Sequence, residues 1–178
     1  MKIYSTRHGQ TDYNLKDMIQ GTTDNELNDT GIAQAYELAE KVSQKADIDF
    51  IISSPMKRAY RTACIISEKN GLDIITDERF REWDYGRYEG MPRTASGFAE
   101  NKSQFGVRMG VDGESVLQLA HRVYSALDDI IKNYPDKNVL VVCHGGVCRI
   151  IETYFHDLAT EDYNNWFMGN CELIEYNI

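Results

Sequence analysis

Val139-Leu140-Val141-Val142-Cys143-His144-Gly145 is the stretch that decides the fold. Its unbroken aliphatic run fits a strand buried on both faces, as central parallel strands are. Such a strand needs helices above and below it. Working outward, Ile3-Tyr4-Ser5-Thr6 reads as a short strand that runs into Arg7-His8-Gly9. Phe50-Ile51-Ile52 is a second buried strand, ended by Ser53-Ser54-Pro55, and Ile74-Ile75 is a third. Cys171 to Asn177 reads as a closing strand.

Helical periods fill the intervals. A helix starting at Thr30 carries the stripe Ala35, Leu38, Ala39 and Val42. A second runs from about Met56 to Lys69 and is stopped by Asn70-Gly71. From Ser115 the period is strong: Val116, Leu119, Ala120, Val123, Leu127, Ile130, Ile131. More helical sequence follows Gly145. Strands alternating with helices predict an α/β fold, a three-layer α/β/α sandwich with a mostly parallel central sheet. Glu78 to Asp112 breaks the pattern, being rich in Gly, Arg, Asp and aromatics, with one short helix near Ala95 to Gln104. The chain is read as a single domain over 1–178, with a short cap or insertion at about 91–113.

The 178 residues carry a net charge of −9 and are 42% hydrophobic and 26% charged. That acidity argues against nucleic acid and against an anionic membrane surface as partners. It still allows a few basic groups to converge on a small anion. Charge appears at Lys2 and Arg7, too early for the apolar part of a signal peptide. No apolar stretch approaches the ~18 residues that span a bilayer. A cytoplasmic protein is expected. Cys64, Cys143, Cys148 and Cys171 are scattered and read as reduced thiols; nothing suggests a metal or cofactor site. The sequence leaves the oligomeric state open.

In parallel α/β sheets, ligands bind beyond the carboxyl ends of the strands. Three strands end there in candidate residues: the first in Arg7-His8, the second just before Arg58, the central one in His144. A phosphate ester is a dianion whose oxygens must be neutralised before a nucleophile can reach phosphorus. Neutral imidazole is a competent nucleophile. The planar fork of arginine matches two phosphate oxygens. The pairing of Arg7-His8-Gly9 with His144-Gly145 therefore points to a histidine that attacks phosphorus amid positive charge.

The motifs together resemble the histidine phosphatase superfamily, in its phosphoglycerate-mutase-like branch, over nearly the whole chain. Arg7-His8-Gly9-Gln10-Thr11-Asp12-Tyr13-Asn14 is similar to the family's first signature, with Gln10 where Glu is usual. The stretch from Asp24 through Leu27 and Gly31 to Gln34 resembles another. Ser53 to Ala63 resembles the second signature, Glu82 to Gly90 the loop that carries the acid, and Asp112-Gly113-Glu114-Ser115 a common turn. The resemblance implies that His8 is the nucleophile and forms phosphohistidine. It implies that Arg7, Arg58 and His144 bind the phosphoryl oxygens and that Glu82 donates the proton. Asn14 and Gly21 would contact the phosphate or its ester. Tyr85, Arg93 and Gly145 are further candidates for contact with substrate. Trp83 and Tyr85 could desolvate Glu82, while Glu78 and Glu89 remain rivals for its role. His121 and His156 lack such company and read as surface residues.

Cys143-His144-Gly145-Gly146-Val147-Cys148-Arg149 also fits Cys-x-x-Gly-x-x-Arg, resembling the phosphate loop of cysteine-based phosphatases. It lacks the usual preceding histidine, has Ile150 where a hydroxyl normally follows, and leaves the other motifs unexplained. A phosphoglycerate-type mutase would use the same phosphohistidine, but needs a long covering insertion with paired arginines. Here only Met91 to Val111 fills that gap, with Arg93, Lys102 and Arg108 set singly. A non-catalytic binding protein is disfavoured because His8, Arg58, Glu82 and His144 are all present. The expected function is hydrolysis of a small phosphorylated metabolite, releasing inorganic phosphate without a cofactor.

Overall fold

A computed structural model describes residues 1–45 and 47–178. Strands β1 (Lys2–Arg7), β2 (Phe50–Ser53), β3 (Asp73–Thr76), β4 (Val139–Cys143) and β5 (Leu173–Asn177) form one sheet in the order β3-β2-β4-β1-β5. β4 lies at its centre, parallel to β1 on one side and to β2 on the other. β3 continues the parallel set, and only β5 runs antiparallel, at the edge beside β1. The expected three-layer sandwich with a mostly parallel sheet is present.

Alternation along the strands builds the two outer layers. Ile3, Ile52, Val139 and Val141 face one core with α5 (Val116–Asn133) and α6 (Gly145–Phe155). Tyr4, Ile51, Leu140 and Val142 face the other with α2 (Asp29–Lys45) and α3 (Lys57–Asn70). Every residue of β4 is buried, so both faces of the aliphatic run are used. Each such side chain contributes roughly 1.5–3 kcal/mol by leaving water. The described residues also include the short helices α1 (Asp12–Leu15), α4 (Phe98–Lys102) and α7 (Thr160–Asn165). No helix of the described residues is long and apolar enough to cross a membrane.

Helix ends follow local chemistry. α2 begins one residue earlier than the sequence suggested, because the Asn28 Oδ1 accepts the Gly31 N–H at 2.9 Å and caps the helix. α3 ends where Asn70-Gly71 predicted, with Gly71 in the left-handed region and its N–H donated to Ser67. The expected helix near 95–104 is shorter, Phe98–Lys102. Gly97 enters it, and Gly106 and Gly110 follow it, which limits its length.

α2 approaches the loop after β1 backbone to backbone. A Cβ on Gly9 would overlap the Gly31 carbonyl, and one on Gly31 would overlap the Gln10 backbone. The Gln10 carbonyl accepts from Asn28 N–H, and Gln34 Oε1 accepts from Gln10 N–H. Gly31→Ala is therefore expected to destabilise the protein by about 1–3 kcal/mol, as overpacking does. Denaturant unfolding tests this; wild-type stability in that variant would mean that the two backbones do not rely on their close approach.

Candidate active site

The carboxyl ends of β1, β2 and β4 meet at one side of the sheet, and the predicted residues gather there. Arg7 ends β1, and His8 follows it. His144 follows β4 directly and caps α6. Arg58 sits in the first turn of α3, two short steps beyond β2. Glu82 arrives from the loop between two 3₁₀ turns, Glu78–Phe80 and Gly86–Tyr88. Arg7, His8, Arg58, His144 and Glu82 are all at least 92% removed from solvent, which leaves charges here poorly screened.

The His8 ring is held in one tautomer. Its Nδ1 lies 2.7 Å from the Gly9 carbonyl and so carries the proton. Its Nε2 is then the acceptor of the Arg58 Nε–H at 3.2 Å. Burial pushes the His8 pKa well below its ordinary value, and the charges of Arg58 and Arg7 push it further. The ring is neutral, with its lone pair on Nε2. Its backbone is fixed as well: the His8 carbonyl accepts from Asn170 Nδ2 at 2.7 Å, and Gly9 N–H donates to Thr62 Oγ1.

His144 stands against His8, ring centroids 5.2 Å apart. Its Nε2 is 2.8 Å from Ser54 Oγ. Its Nδ1 is buried without a partner among the described residues, and so is Nε of Arg7. Burial, and then Arg58 and His8, hold the His144 pKa well below its ordinary value. Ser54 Oγ accepts from Met56 N–H and has its own proton left for His144 Nε2, so Nδ1 of the neutral ring carries the hydrogen; buried donors are almost always satisfied, so two orphans at one site ask for an acceptor. Arg7 otherwise donates to the Met168 carbonyl, and Cys171 N–H holds the Arg7 carbonyl.

Glu82 accepts from its neighbour Trp83 N–H at 2.9 Å and from Gly146 N–H at the start of α6 at 3.1 Å. A Cβ on Gly146 would stand 2.7 Å from Glu82 Oε1, so glycine permits this approach. The rival acids have other work. Glu78 is exposed and pairs with Arg81. Glu89 accepts from the backbone and hydroxyls of Thr22 and Thr23 and fastens that loop.

A small pocket of about 40 Å³ is lined by Arg7, Glu82, Tyr85, Arg93, Lys102, Gly145, Gly146, Arg149, Phe167 and Met168. Tyr85, Arg93 and Gly145 thus fall together on its wall. Asn14 lies nearby, its Oδ1 accepting from Thr11 N–H and Asn170 Nδ2. The Gly21 carbonyl accepts from Arg58 Nη2, so Gly21 serves as a post for that arginine. Cys143 is fully buried in the core with its Sγ 3.4 Å from that of Cys148, and it does not line the pocket. Burial and that contact push the Cys148 thiol far up. The Cys148 sulfur is not poised as a thiolate.

Sequence reading missed the supporting roles of Arg122, Ser54 and Asn170, and read Glu89 as a rival acid. Arg122 donates to the carbonyls of Arg79, Arg81 and Glu82 and pairs twice with Glu114, tying the acid loop to α5. A signal existed: Arg122 adjoins the apolar stripe between Leu119 and Ala126, where a charge is out of place.

A model of the histidine phosphatase superfamily (branch 1) matches residues 3–178. The chain belongs to that superfamily. It is 40% identical to the uncharacterized phosphatase PhoE of Bacillus subtilis over 173 residues, spanning 95% of this chain and 86% of that one. It is 34% identical to the probable phosphoglycerate mutase GpmB of Yersinia pestis, spanning 97% and 83%. Among solved structures it superposes on a mycobacterial glucosyl-3-phosphoglycerate phosphatase in complex with VO3, with a TM-score of 0.87, 28% identity and coverage of 98% and 90%. Phosphatases of this superfamily are phosphoric monoester hydrolases, and so is this enzyme.

The neutral histidines make stability depend on pH. Each binds its proton less readily folded than unfolded, where its pKa is ~6.5. As pH falls below about 6.5 the unfolded chain takes up protons that the folded one refuses, so stability is lost on acidification. The loss approaches about 1.4 kcal/mol per histidine per pH unit. Denaturant unfolding at pH 7 and 5.5 is expected to show it, with a smaller fall for His8→Asn. Stability that is flat or rising on acidification would mean that these rings are protonated in the folded state.

Proposed function

We propose that this enzyme hydrolyses small phosphomonoesters through a phosphohistidine on His8. The observation that carries the reading is the neutral His8 ring, with Nε2 as its acceptor, beside the unpartnered Arg7 Nε and His144 Nδ1. A phosphoryl group seated there would give both orphan donors an oxygen. It would also compete with Nε2 for the Arg58 Nε–H, which turns to a phosphoryl oxygen and uncovers the lone pair. The remaining Arg58 nitrogens stay anchored on the Thr23 and Gly21 carbonyls, so the guanidinium is aimed before substrate arrives.

Attack by Nε2 forms the N–P bond as the ester P–O bond breaks in line. The protonated Glu82 gives its proton to the departing oxygen, which leaves as the alcohol. Glu82, now ionised, takes a proton from water as that water attacks phosphorus. The N–P bond breaks, and inorganic phosphate and neutral His8 are restored. The segment 91–113 acts as a short cap, contributing Arg93 and Lys102 to the pocket wall.

Rapid quench with labelled substrate is expected to trap an acid-labile, alkali-stable adduct that maps to His8 and is absent from His8→Ala. An adduct on Cys143, or full turnover by His8→Ala, would overturn the assignment.

Glu82→Gln separates the acid from the rest of the site. Loss of a positioned acid costs about 10²–10⁴-fold when the leaving alkoxide is poor. Alkyl phosphates are expected to slow by that order and nitrophenyl phosphate far less, because nitrophenolate leaves without a proton. Equal slowing of both would show that Glu82 only shapes the pocket.

A further inference from the structure

The turn between α7 and β5 grips the end of β1 outside the sheet ladder. That ladder ends with Thr6 opposite Leu173. Beyond it, three residues of the turn address Arg7 and His8. The Met168 carbonyl accepts from Arg7 Nη1 at 3.0 Å, and Cys171 N–H donates to the Arg7 carbonyl at 2.9 Å. Asn170 Nδ2 donates to the His8 carbonyl at 2.7 Å. The turn is itself fastened, by Gly169 N–H to Glu172 Oε2 and by Thr6 Oγ1 to the Glu172 carbonyl. Cys171 takes the left-handed conformation, with φ at 56°, which few residues other than glycine adopt. Such a backbone persists where its surroundings over-determine it, and it gathers at functional sites. The left-handed residue is the one whose N–H holds Arg7 and whose neighbour holds His8.

Asn170 acts on the peptide between His8 and Gly9. That peptide is gripped on both sides: its carbonyl accepts from Asn170, and its N–H donates to Thr62 Oγ1 at 3.1 Å. With the peptide fixed, the next carbonyl, that of Gly9, is aimed at His8 Nδ1. That bond decides which ring nitrogen keeps the lone pair. Contact with a carbonyl also identifies the nitrogen end of the Asn170 amide. The same nitrogen lies 3.4 Å from Asn14 Oδ1, which Thr11 N–H and Thr11 Oγ1 reach as well. Asn170 does not line the catalytic pocket, so its influence on a bound ester passes through His8 and Asn14.

We propose that Asn170 is a positioning residue for phosphoryl transfer: it holds the His8–Gly9 peptide so that the Gly9 carbonyl keeps the proton on Nδ1 and Nε2 stays aimed at phosphorus. This rests on the phosphohistidine reading above. The demand on the clamp rises during the step. As Nε2 bonds to phosphorus and the ester oxygen departs with the Glu82 proton, the ring loses electron density. Its Nδ1–H becomes a stronger donor, and an aligned Gly9 carbonyl then stabilises the transfer more than the ground state. Binding of the phosphoryl oxygens is left to Arg7, Arg58 and His144. Asn170 therefore governs the rate of transfer and not the affinity for phosphate.

Three measurements on Asn170→Ala test this. Single-turnover rapid quench with labelled nitrophenyl phosphate follows formation of the His8 adduct, and calorimetry follows binding of inorganic phosphate. Adduct formation should slow by about 10- to 100-fold, as small misplacements of a reacting group do, while phosphate affinity changes by less than about threefold. Nitrogen-15 spectra of the His8 ring should show the proton on Nδ1 in the wild type and a mixture of tautomers in the variant. Thr62→Val removes the other side of the clamp with little change of shape. It should slow the same step, and it carries the test if Asn170→Ala does not fold. A wild-type rate of adduct formation, a single wild-type tautomer, or equal losses of rate and phosphate affinity would overturn the proposal. Absence of a His8 adduct in the wild type would overturn the phosphohistidine reading and this one with it. A His8 adduct formed equally fast in wild type and variant would overturn only the role of Asn170.

Discussion

The parallel ladder between β1 and β4 governs where the two histidines meet. Arg7 lies opposite Cys143 in its register, and the His8 N–H extends the ladder by donating to the Cys143 carbonyl at 3.0 Å. His8 and His144 therefore leave the sheet side by side, although 136 positions separate them in the chain. On the other side of β4, Ser54 N–H donates to Val142 and brings Ser54 under His144 and α3 with Arg58 over His8. A one-residue slip would exchange the two faces of β4 and separate every one of these groups.

Given that placement, the electrostatics follow from dryness. Histidine and arginine crowd together out of water, so burial and the arginine charges hold the histidines neutral while the arginines keep their protons. Arg58 is itself brought down to about 10 by burial, yet it remains a cation across the physiological range. Its cost is met by carbonyls at Gly21 and Thr23, and that loop is in turn held by Glu89. On the opposite wall, Arg122 gathers three carbonyls of the acid loop and aims Glu82 at the start of α6. The groups proposed for catalysis are thus set by side chains outside the pocket, which is how a site reaches its geometry before the ligand does.

Much of this was legible in the chain. The aliphatic run at 139–142 gave the central strand, and the apolar stripes at 35–42 and 116–131 gave the helices that cover it, because burial imposes a period on local sequence. The five principal candidates could be picked out in the sequence because each adjoins a strand end or a short motif, and the fold brings them together. The supporting residues were harder for a physical reason. Glu89 was read as a rival acid, since a carboxylate near aromatics looks the same whether it holds a proton or a loop; only its contacts with Thr22 and Thr23, 67 and 66 positions away, decide. Gly21 was read as a contact for the phosphate or its ester, and its carbonyl also holds Arg58, a role no motif announced. Cys143 carried a loop-like motif, but the β4 alternation sends its sulfur into the core beside Cys148. Long-range hydrogen bonds leave no period in sequence, and that is where the reading ended.

The account turns on a phosphoryl group that meets the His8 lone pair while satisfying two buried donors. A crystal structure with vanadate, which adopts the shape of phosphorus in transfer, addresses that directly. The account predicts vanadium bonded to His8 Nε2, with its equatorial oxygens accepting from Arg7 Nε, His144 Nδ1 and Arg58 Nε. Vanadate bound to Cys143, or seated elsewhere with Arg7 Nε and His144 Nδ1 still unpaired, would contradict it.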